Sequence, residues 1–263
     1  MKACKELTII IPTFNSKKYI AILLGEVCKY VKTVIVIDSY STDDTLEIAR
    51  EFKNVTVLEN EYVNSATQKN YALQHVSTKW AMFIDSDELP EDGLMDEIVS
   101  VVDNNKVGVN LVRIPRKNFF WGRYLGRAGN YPDYQSRILR VGYGKFQDKE
   151  VHAQIEIKDG AVESLTKALL HDDFTDIESL LIRNTRYYKY ELDELKKTNV
   201  KWGVKLQFIK PIYVFVKIYF LKGGFKYGFI GFFWSVQWLI YHFMVAAKLY
   251  EYEKRSTKYR KIS

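Results

Sequence analysis

The chain has 263 residues, enough for one large domain or a domain with an appendage, and its 47% hydrophobic, 27% charged composition is that of a globular protein. Its two cysteines, Cys4 and Cys28, have no zinc-ligand spacing and form no disulfide framework, which excludes both classes and fits reduced thiols in the cytosol. The net charge of +7 is uneven: residues 1–182 hold 22 Lys/Arg against 27 Asp/Glu, and residues 183–263 hold 17 against 5.

Residues 7–11 form a β-branched apolar run closed by Pro12-Thr13-Phe14-Asn15, a strand entering a loop. The chain enters this strand without the apolar core of a signal peptide, an expectation of a cytosolic protein. Residues 18–30 read as a helix, with Ile20, Leu23, Leu24, Val27 and Cys28 on one face. Val34-Ile35-Val36-Ile37 is a second buried strand, ending in Asp38-Ser39-Tyr40-Ser41-Thr42-Asp43-Asp44; Thr42 or Asp43 can cap the helix at 45–52. A short strand at 55–58 and a helix at 65–74, carrying Gln68-Lys69-Asn70, precede the strand Trp80-Ala81-Met82-Phe83-Ile84. That strand runs into Asp85-Ser86-Asp87-Glu88, and a helix follows at 94–102.

Strand and helix alternate as in a parallel, doubly wound sheet. No Gly-x-Gly-x-x-Gly and no Walker lysine loop follows the first strand, so neither a dinucleotide fingerprint nor a P-loop is present. Thr13, Asp38 and Asp85/Asp87 instead end three strands and converge at the carboxyl edge, where open α/β sheets bind ligands. Asp85 and Asp87 are two apart, so an extended chain would turn both to one side, as hard oxygen ligands for Mg²⁺ or Mn²⁺. Asp-x-Asp alone also suits a solvated turn; the convergence carries the functional reading.

Beyond residue 109 the rhythm changes. Strands are expected at 109–114 and 137–140, with a long irregular loop, rich in aromatic residues, Gly and Arg, over the site at 118–134. Residues 148–152 and 155–157 are short and polar, and Leu169-Leu170-His171-Asp172-Asp173 again reads as a strand ending in ligand-type side chains. A helix is expected at 177–195, and Pro211 opens an aromatic, lysine-flanked stretch. Residues 227–247 contain no Asp, Glu, Lys or Arg; these 21 positions match the roughly 20 that span a bilayer. Trp234, Trp238, Tyr241 and the flanking lysines equally suit a helix lying at a membrane interface, and a helix packed in a core or dimer stays open. The lysines flank apolar runs and form no exposed stripe, which disfavours nucleic acid as partner.

Pro12-Thr13-Phe14-Asn15, Asp38-Ser39-x-Ser41-Thr42-Asp43-x-Thr45, Gln68-Lys69-Asn70 and Asp85-Ser86-Asp87-Glu88, in this order, resemble the family-2 glycosyltransferases of GT-A fold. Tyr131-Pro132-Asp133-Tyr134-Gln135, Arg137-x-Leu139-Arg140, Val151-His152, Leu170-His171 and Tyr219-x-x-x-Lys222-Gly223-Gly224-Phe225 narrow the resemblance to the branch of bacterial lipopolysaccharide inner-core β-glucosyltransferases. The resemblance implies a GT-A catalytic domain over 1–176 and a helical, basic and aromatic membrane-associating or oligomerising extension over 177–263. It implies inverting transfer from a nucleoside diphosphate sugar, UDP-sugar favoured, with Mn²⁺ or Mg²⁺, to a glycan or glycolipid at the inner face of the cell membrane.

Residue by residue, the resemblance assigns donor binding to Pro12, Thr13, Asn15, Asp38, Gln68, Lys69, Asp85 and Ser86, with Asp38 accepting from the base and Asp85 holding the ribose or a metal-bound water. Asp87 and His171 are the implied metal ligands, and Arg127, Tyr131, Asp133, Tyr134 and Arg137 the acceptor contacts. Related sequences of this branch often read Val-His-Glu where this chain reads Val151-His152-Ala153. The base that takes the acceptor proton then falls to Asp148 or Glu150, beside His152. Two other readings stand beside this one. A nucleotidyltransferase would need a Gly- and basic-rich loop at 12–18, and a membrane-associated assembly protein with a decayed transferase domain is favoured by Ala153 alone.

Overall fold

The computed structural model describes residues 3–147, 154–174, 176–197 and 204–259. The chain divides into two compact units, Met1–Lys117 with Pro132–Asp172, and Asn118–Tyr131 with Asp173–Ser263.

The first unit opens with β1 (Cys4–Thr13), α1 (Lys17–Val27), β2 (Val31–Asp38), α2 (Thr45–Arg50), β3 (Val55–Glu59), α3 (Ser65–Leu73) and β4 (Trp80–Phe83). A short β5 (Glu88–Pro90), α4 (Leu94–Asn104) and β6 (Val109–Phe120) follow, and the end of β6 with β7 (Arg123–Tyr124) belongs to the second unit. Then come β8 (Asp133–Arg140), β9 (Gly144–Phe146), β10 (Ile155–Ile157), β11 (Ala161–Ser164) and β12 (Leu169–Phe174). The sheet order is β3-β2-β1-β4-β8-β6-β12-β5. β3, β2, β1 and β4 pair in parallel, whereas β8 lies antiparallel to both β4 and β6, so the expected parallel sheet is mixed.

Alternation explains why β1 is apolar throughout. Ile9 and Ile11 join the core on one face with Leu23, Leu24 and Ile98, while Ile10 joins the other with Ile35, Phe83 and Leu139. In α1, Ile20, Leu23, Leu24 and Val27 are buried, as their helical spacing requires. The parallel register pairs Thr13 with Asp38 and Ile10 with Phe83, which brings the ends of β1, β2 and β4 to one edge.

The second unit holds the β6–β7 hairpin, a 3-10 turn (Gly126–Gly129), α5 (Ile177–Lys197), α6 (Val204–Val216), a π-helical turn (Lys217–Leu221), a second 3-10 turn (Gly224–Tyr227) and α7 (Gly228–Tyr259). The expected long loop at 118–134 is therefore mostly ordered secondary structure. Its hairpin turns at Trp121 and Gly122, φ 48° and 70°, the two positive dihedrals a tight type I′ connection needs. Tryptophan rarely adopts that conformation, which hid the turn from the sequence. α6 runs through Pro211, which was expected to open the stretch; the helix forgoes one backbone hydrogen bond there.

Phe120, Leu125, Ala128, Leu180, Ile218 and Trp234 form the core of this unit, and Trp234 Nε1 donates to the Ala128 carbonyl at 3.1 Å. A Cβ on Gly231 would lie 1.9 Å from the Gly224 carbonyl, so only glycine lets α7 pack against the preceding turn. α7 buries Trp234, Ser235, Gln237, Tyr241 and Val245 inside the unit, one face of the helix left open among three settings by its sequence.

Candidate active site

The first wall of the site is the pair of loops after β1 and β2. Asp38 is wholly buried. Its Oδ1 accepts from Thr13 Oγ1 at 2.7 Å and Ser41 Oγ at 2.6 Å, and its Oδ2 accepts from the Ser41 backbone N–H at 2.7 Å. Three of about four lone-pair positions on the carboxylate are thus engaged within the chain. Asp38 thereby ties the two loops together, and one acceptor position is left for the base contact expected of it. Asn15, at φ 49°, accepts from the Thr42 N–H on its side-chain Oδ1 at 2.8 Å and donates its own N–H to Ser41 Oγ at 2.8 Å. The N-cap of α2 is Asp44 and makes no side-chain cap bond, in place of the expected Thr42 or Asp43; Asp43 accepts from the Thr45 N–H at 3.1 Å and from the Lys17 N–H at 3.2 Å. Ser16 and Ser86 share a hydroxyl hydrogen bond of 2.8 Å, linking this wall to the acidic turn.

The second wall is α3 with the turn after β4. Gln68 is buried; its amide donates to Ser39 Oγ at 2.8 Å and the Asn60 carbonyl at 2.9 Å. Lys69, also buried, donates to Asp85 Oδ1 at 2.8 Å. Asn70 exchanges two 2.9 Å hydrogen bonds with the Phe146 backbone and so anchors β9 to α3. Asp85 and Asp87 do not share a side of an extended strand, because the chain turns there and the Glu88 N–H returns to the Asp85 carbonyl at 3.0 Å.

Glu88 is the buried centre of this turn. Its Oε2 accepts from the Asp85 N–H at 3.1 Å, and its Oε1 takes Arg137 and, at 3.5 Å, Arg116. Arg137 also donates to Asp85 Oδ2 at 2.9 Å. Burial disfavours the Asp85 anion, but Arg137 and Lys69 outweigh it and hold the carboxyl well below the usual carboxylate range. Burial likewise opposes the Arg137 charge, and Asp85 with Glu88 reverses that and raises its pKa. Arg137, expected at the acceptor, is buried under the turn, where its guanidinium pairs with both Asp85 and Glu88.

Asp133 is gripped by Arg116 at 2.9 and 3.1 Å and by Gln135 at 2.7 Å, so this acceptor candidate belongs to the same ionic network. Tyr134 is exposed, with the Arg113 guanidinium 5.5 Å from its ring centre. Arg127 and Tyr131 lie in the second unit. Asp148, Glu150 and His152 lie outside the described residues. Glu88 and Arg116 escaped the sequence reading as site residues; a third carboxylate after a buried strand was the available signal for Glu88, and nothing local marked Arg116.

Asp87 is left free of the two arginines, with its side chain 45% exposed and Oδ2 3.5 Å from His171 Nε2. The antiparallel register of β5 and β12, which pairs Glu88 with His171, creates this approach. Burial lowers the His171 pKa and the Asp87 hydrogen bond more than restores it, leaving it raised. Among the described residues no three His, Cys, Asp or Glu side chains form a ready metal cage. The carboxylate–imidazole pair nevertheless fits one divalent ion, because neighbouring ligands on an octahedral Mg²⁺-sized ion sit about 3 Å apart and the ion keeps several waters. A cleft of about 830 Å³ between α3 and the β9–β10 hairpin shares Asn70 with this wall, but not the acidic turn.

The sequence model of Glycosyl transferase family 2 matches residues 8–160, the span that carries Thr13, Asp38, Lys69, the acidic turn and Arg137. The lipopolysaccharide core biosynthesis glycosyltransferase LpsC of Rhizobium meliloti (strain 1021) is 26% identical over 232 residues, covering 83% of this chain and 82% of LpsC. Among solved structures, the mannosyltransferase PcManGT from Pyrobaculum calidifontis, in complex with GDP-Man and Mn²⁺, superposes with a TM-score of 0.59 at 14% identity, covering 93% of this chain and 86% of that one. S. aureus TarS in complex with UDP-GlcNAc does so with a TM-score of 0.51 at 18% identity, covering 85% and 76%. At such identities the structural likeness speaks to the fold, which is GT-A. The family match covers more than half of the chain and contains both walls of the site, so this protein is a glycosyltransferase and belongs to glycosyl transferase family 2.

Proposed function

We propose that the protein moves a sugar, with inversion, from a nucleoside diphosphate sugar to a glycan or glycolipid of the cell envelope, with Mn²⁺ or Mg²⁺ as cofactor. The observation that carries this is the meeting of the Thr13–Asp38–Ser41 loops with the Asp85–Glu88 turn at one sheet edge, where Asp87 Oδ2 approaches His171 Nε2 at 3.5 Å. UDP as the donor nucleotide is supported by the TarS complex, and lipopolysaccharide core as the acceptor class by LpsC.

Asp87 and His171 would hold the ion, which would neutralise charge on the departing diphosphate oxygens. Lys69 and Arg137 keep Asp85 ionised, as an acceptor for a ribose hydroxyl or a metal-bound water. The Thr13–Asp38–Ser41 knot holds the nucleoside loop rigid, so that little ordering remains to be done on binding. An inverting reaction also needs a carboxylate to receive the acceptor proton. Asp133 suits that role among the described residues, because Arg116 and Gln135 orient it while it stays partly exposed. The chemistry belongs to the first unit, and the basic second unit serves as a peripheral attachment to the inner face of the cell membrane.

The reading is tested by thermal unfolding with UDP or GDP, each with and without Mn²⁺, since a ligand of the native state alone raises the melting temperature. A metal-dependent rise with UDP is expected. No rise with either nucleotide would sink the proposal.

A further inference from the structure

The second unit carries an apolar surface that its own helices leave uncovered. Phe220 and Leu221 in the π-helical turn are 55% and 70% exposed, Phe225 in the next turn is 50%, and Phe229 at the start of α7 is 72%. Tyr219 joins the rings of this patch, its centre lying 5.0 Å from that of Phe220, 6.4 Å from Phe225 and 5.8 Å from Phe232, with Leu221 next to Phe220 in the chain and Phe229 packed along α7 against Phe233 at 6.4 Å. A contiguous patch of this kind marks an interaction face, whereas scattered apolar residues do not.

Along the sequence, residues 195–250 contain nine Lys and no Asp or Glu, and Lys217, Lys222 and Lys226 fall between and beside the exposed aromatic residues. Lys222 Nζ donates to Asn130 Oδ1 at 2.6 Å, and burial, then the nearby Lys217 and Arg127, push its pKa down. Cations gathered beside bare aromatic rings match a surface that is apolar inside and anionic outside. The core of a protein–protein interface is, by contrast, poor in lysine. The segment Gly224–Lys254 is long and apolar enough to cross a bilayer, yet α7 commits Ser235, Gln237 and Tyr241 to the interior of the unit.

We propose that this face docks onto an anionic lipid bilayer without crossing it, with Phe220, Leu221, Phe225 and Phe229 entering the interface and Lys217, Lys222 and Arg127 meeting lipid phosphates. The inference rests on the peripheral placement proposed above and names the surface that performs it.

The test is co-sedimentation of the full chain with vesicles of phosphatidylcholine alone or mixed with phosphatidylglycerol. The wild type should sediment with the mixed vesicles only. Phe220→Ser with Leu221→Ser should weaken partitioning at least tenfold with an unchanged melting temperature. Lys217→Glu with Lys222→Glu, which reverses two charges, should cost at least about fivefold per lysine and remove the preference for phosphatidylglycerol. Wild-type binding that neither double variant weakens would reject this face while the peripheral placement stands. No wild-type binding to either vesicle would reject both. A dimer in sedimentation velocity that Phe220→Ser with Leu221→Ser dissociates would make a second copy the occupant, and cellular protein that resists alkaline carbonate extraction would make α7 a true span; either overturns the proposal.

Discussion

Asp87 Oδ2 stands 3.5 Å from His171 Nε2, while its neighbour Asp85 is held by Lys69 and Arg137. The two aspartates of one short motif therefore have different surroundings: Asp85 is fixed as an anion, and Asp87 faces His171, the pair proposed above to hold the ion. Asp87→Ala should lower turnover by about 100-fold or more, the cost of losing a group that acts on developing charge, with the fold kept. His171→Ala should mainly raise the Mn²⁺ concentration needed for half-maximal rate. Steady-state kinetics across a Mn²⁺ titration checks both, and an Asp87→Ala enzyme of normal rate would show that the metal ligand is wrongly chosen.

Arg137 should be structural. Its side chain is 5% exposed and that of Glu88 is fully buried, so Arg137→Met leaves two carboxylates under the turn without their main partner. A loss of about 3–5 kcal/mol is expected in urea unfolding. A stable variant that fails only in acceptor affinity would return Arg137 to the acceptor site.

Asp38→Asn removes the negative charge to which the Ser41 N–H and the Thr13 and Ser41 hydroxyls donate, and replaces charge-assisted hydrogen bonds by weaker neutral ones. About 1–3 kcal/mol of stability should be lost, and nucleotide affinity with it. Thr13→Val removes one donor and should have the smaller effect. Calorimetric titration with UDP would expose the assignment as wrong if both variants bound as well as wild type.

Asp133→Asn should reduce kcat by about 100-fold to 10,000-fold, the range of a lost general base, while donor binding is retained. An unaltered kcat would pass the proton-accepting role to the 148–152 segment.

Cys28 gives a reading of local packing through pH. Burial pushes its thiol up to about 11, with a small opposing contribution from Asn54. At pH 8 roughly one thiol in a thousand is ionised, so alkylation of the native protein should be slow and rise about tenfold per pH unit. The unfolded thiol titrates near 8.5, so the folded state binds the proton more tightly. The associated stability is complete below about pH 8.5 and is lost as pH rises towards 11. Fast alkylation at pH 8 without denaturant would show that the α1 end opens locally.

The alternation of apolar runs with amphipathic segments determined β1, β2, β4 and the helices around them, because burial on both faces or on one writes itself into local periodicity. The placement of Asp38 and Asp85–Glu88 at strand ends was equally local, as were the basic charge and aromatic content of the back. What the side chains then do was decided by partners distant in sequence. Asp38 turns inward because Thr13 and Ser41 meet it across β1 and β2, and Arg137 is drawn under the turn because β8 lies antiparallel to β4. His171 reaches Asp87 only through the β5–β12 register, and the Trp121-Gly122 hairpin depends on dihedrals that tryptophan rarely takes. Local spacing specifies which face a residue occupies, but register between strands is a long-range choice made by the packed core, and it is register that sets which charges meet.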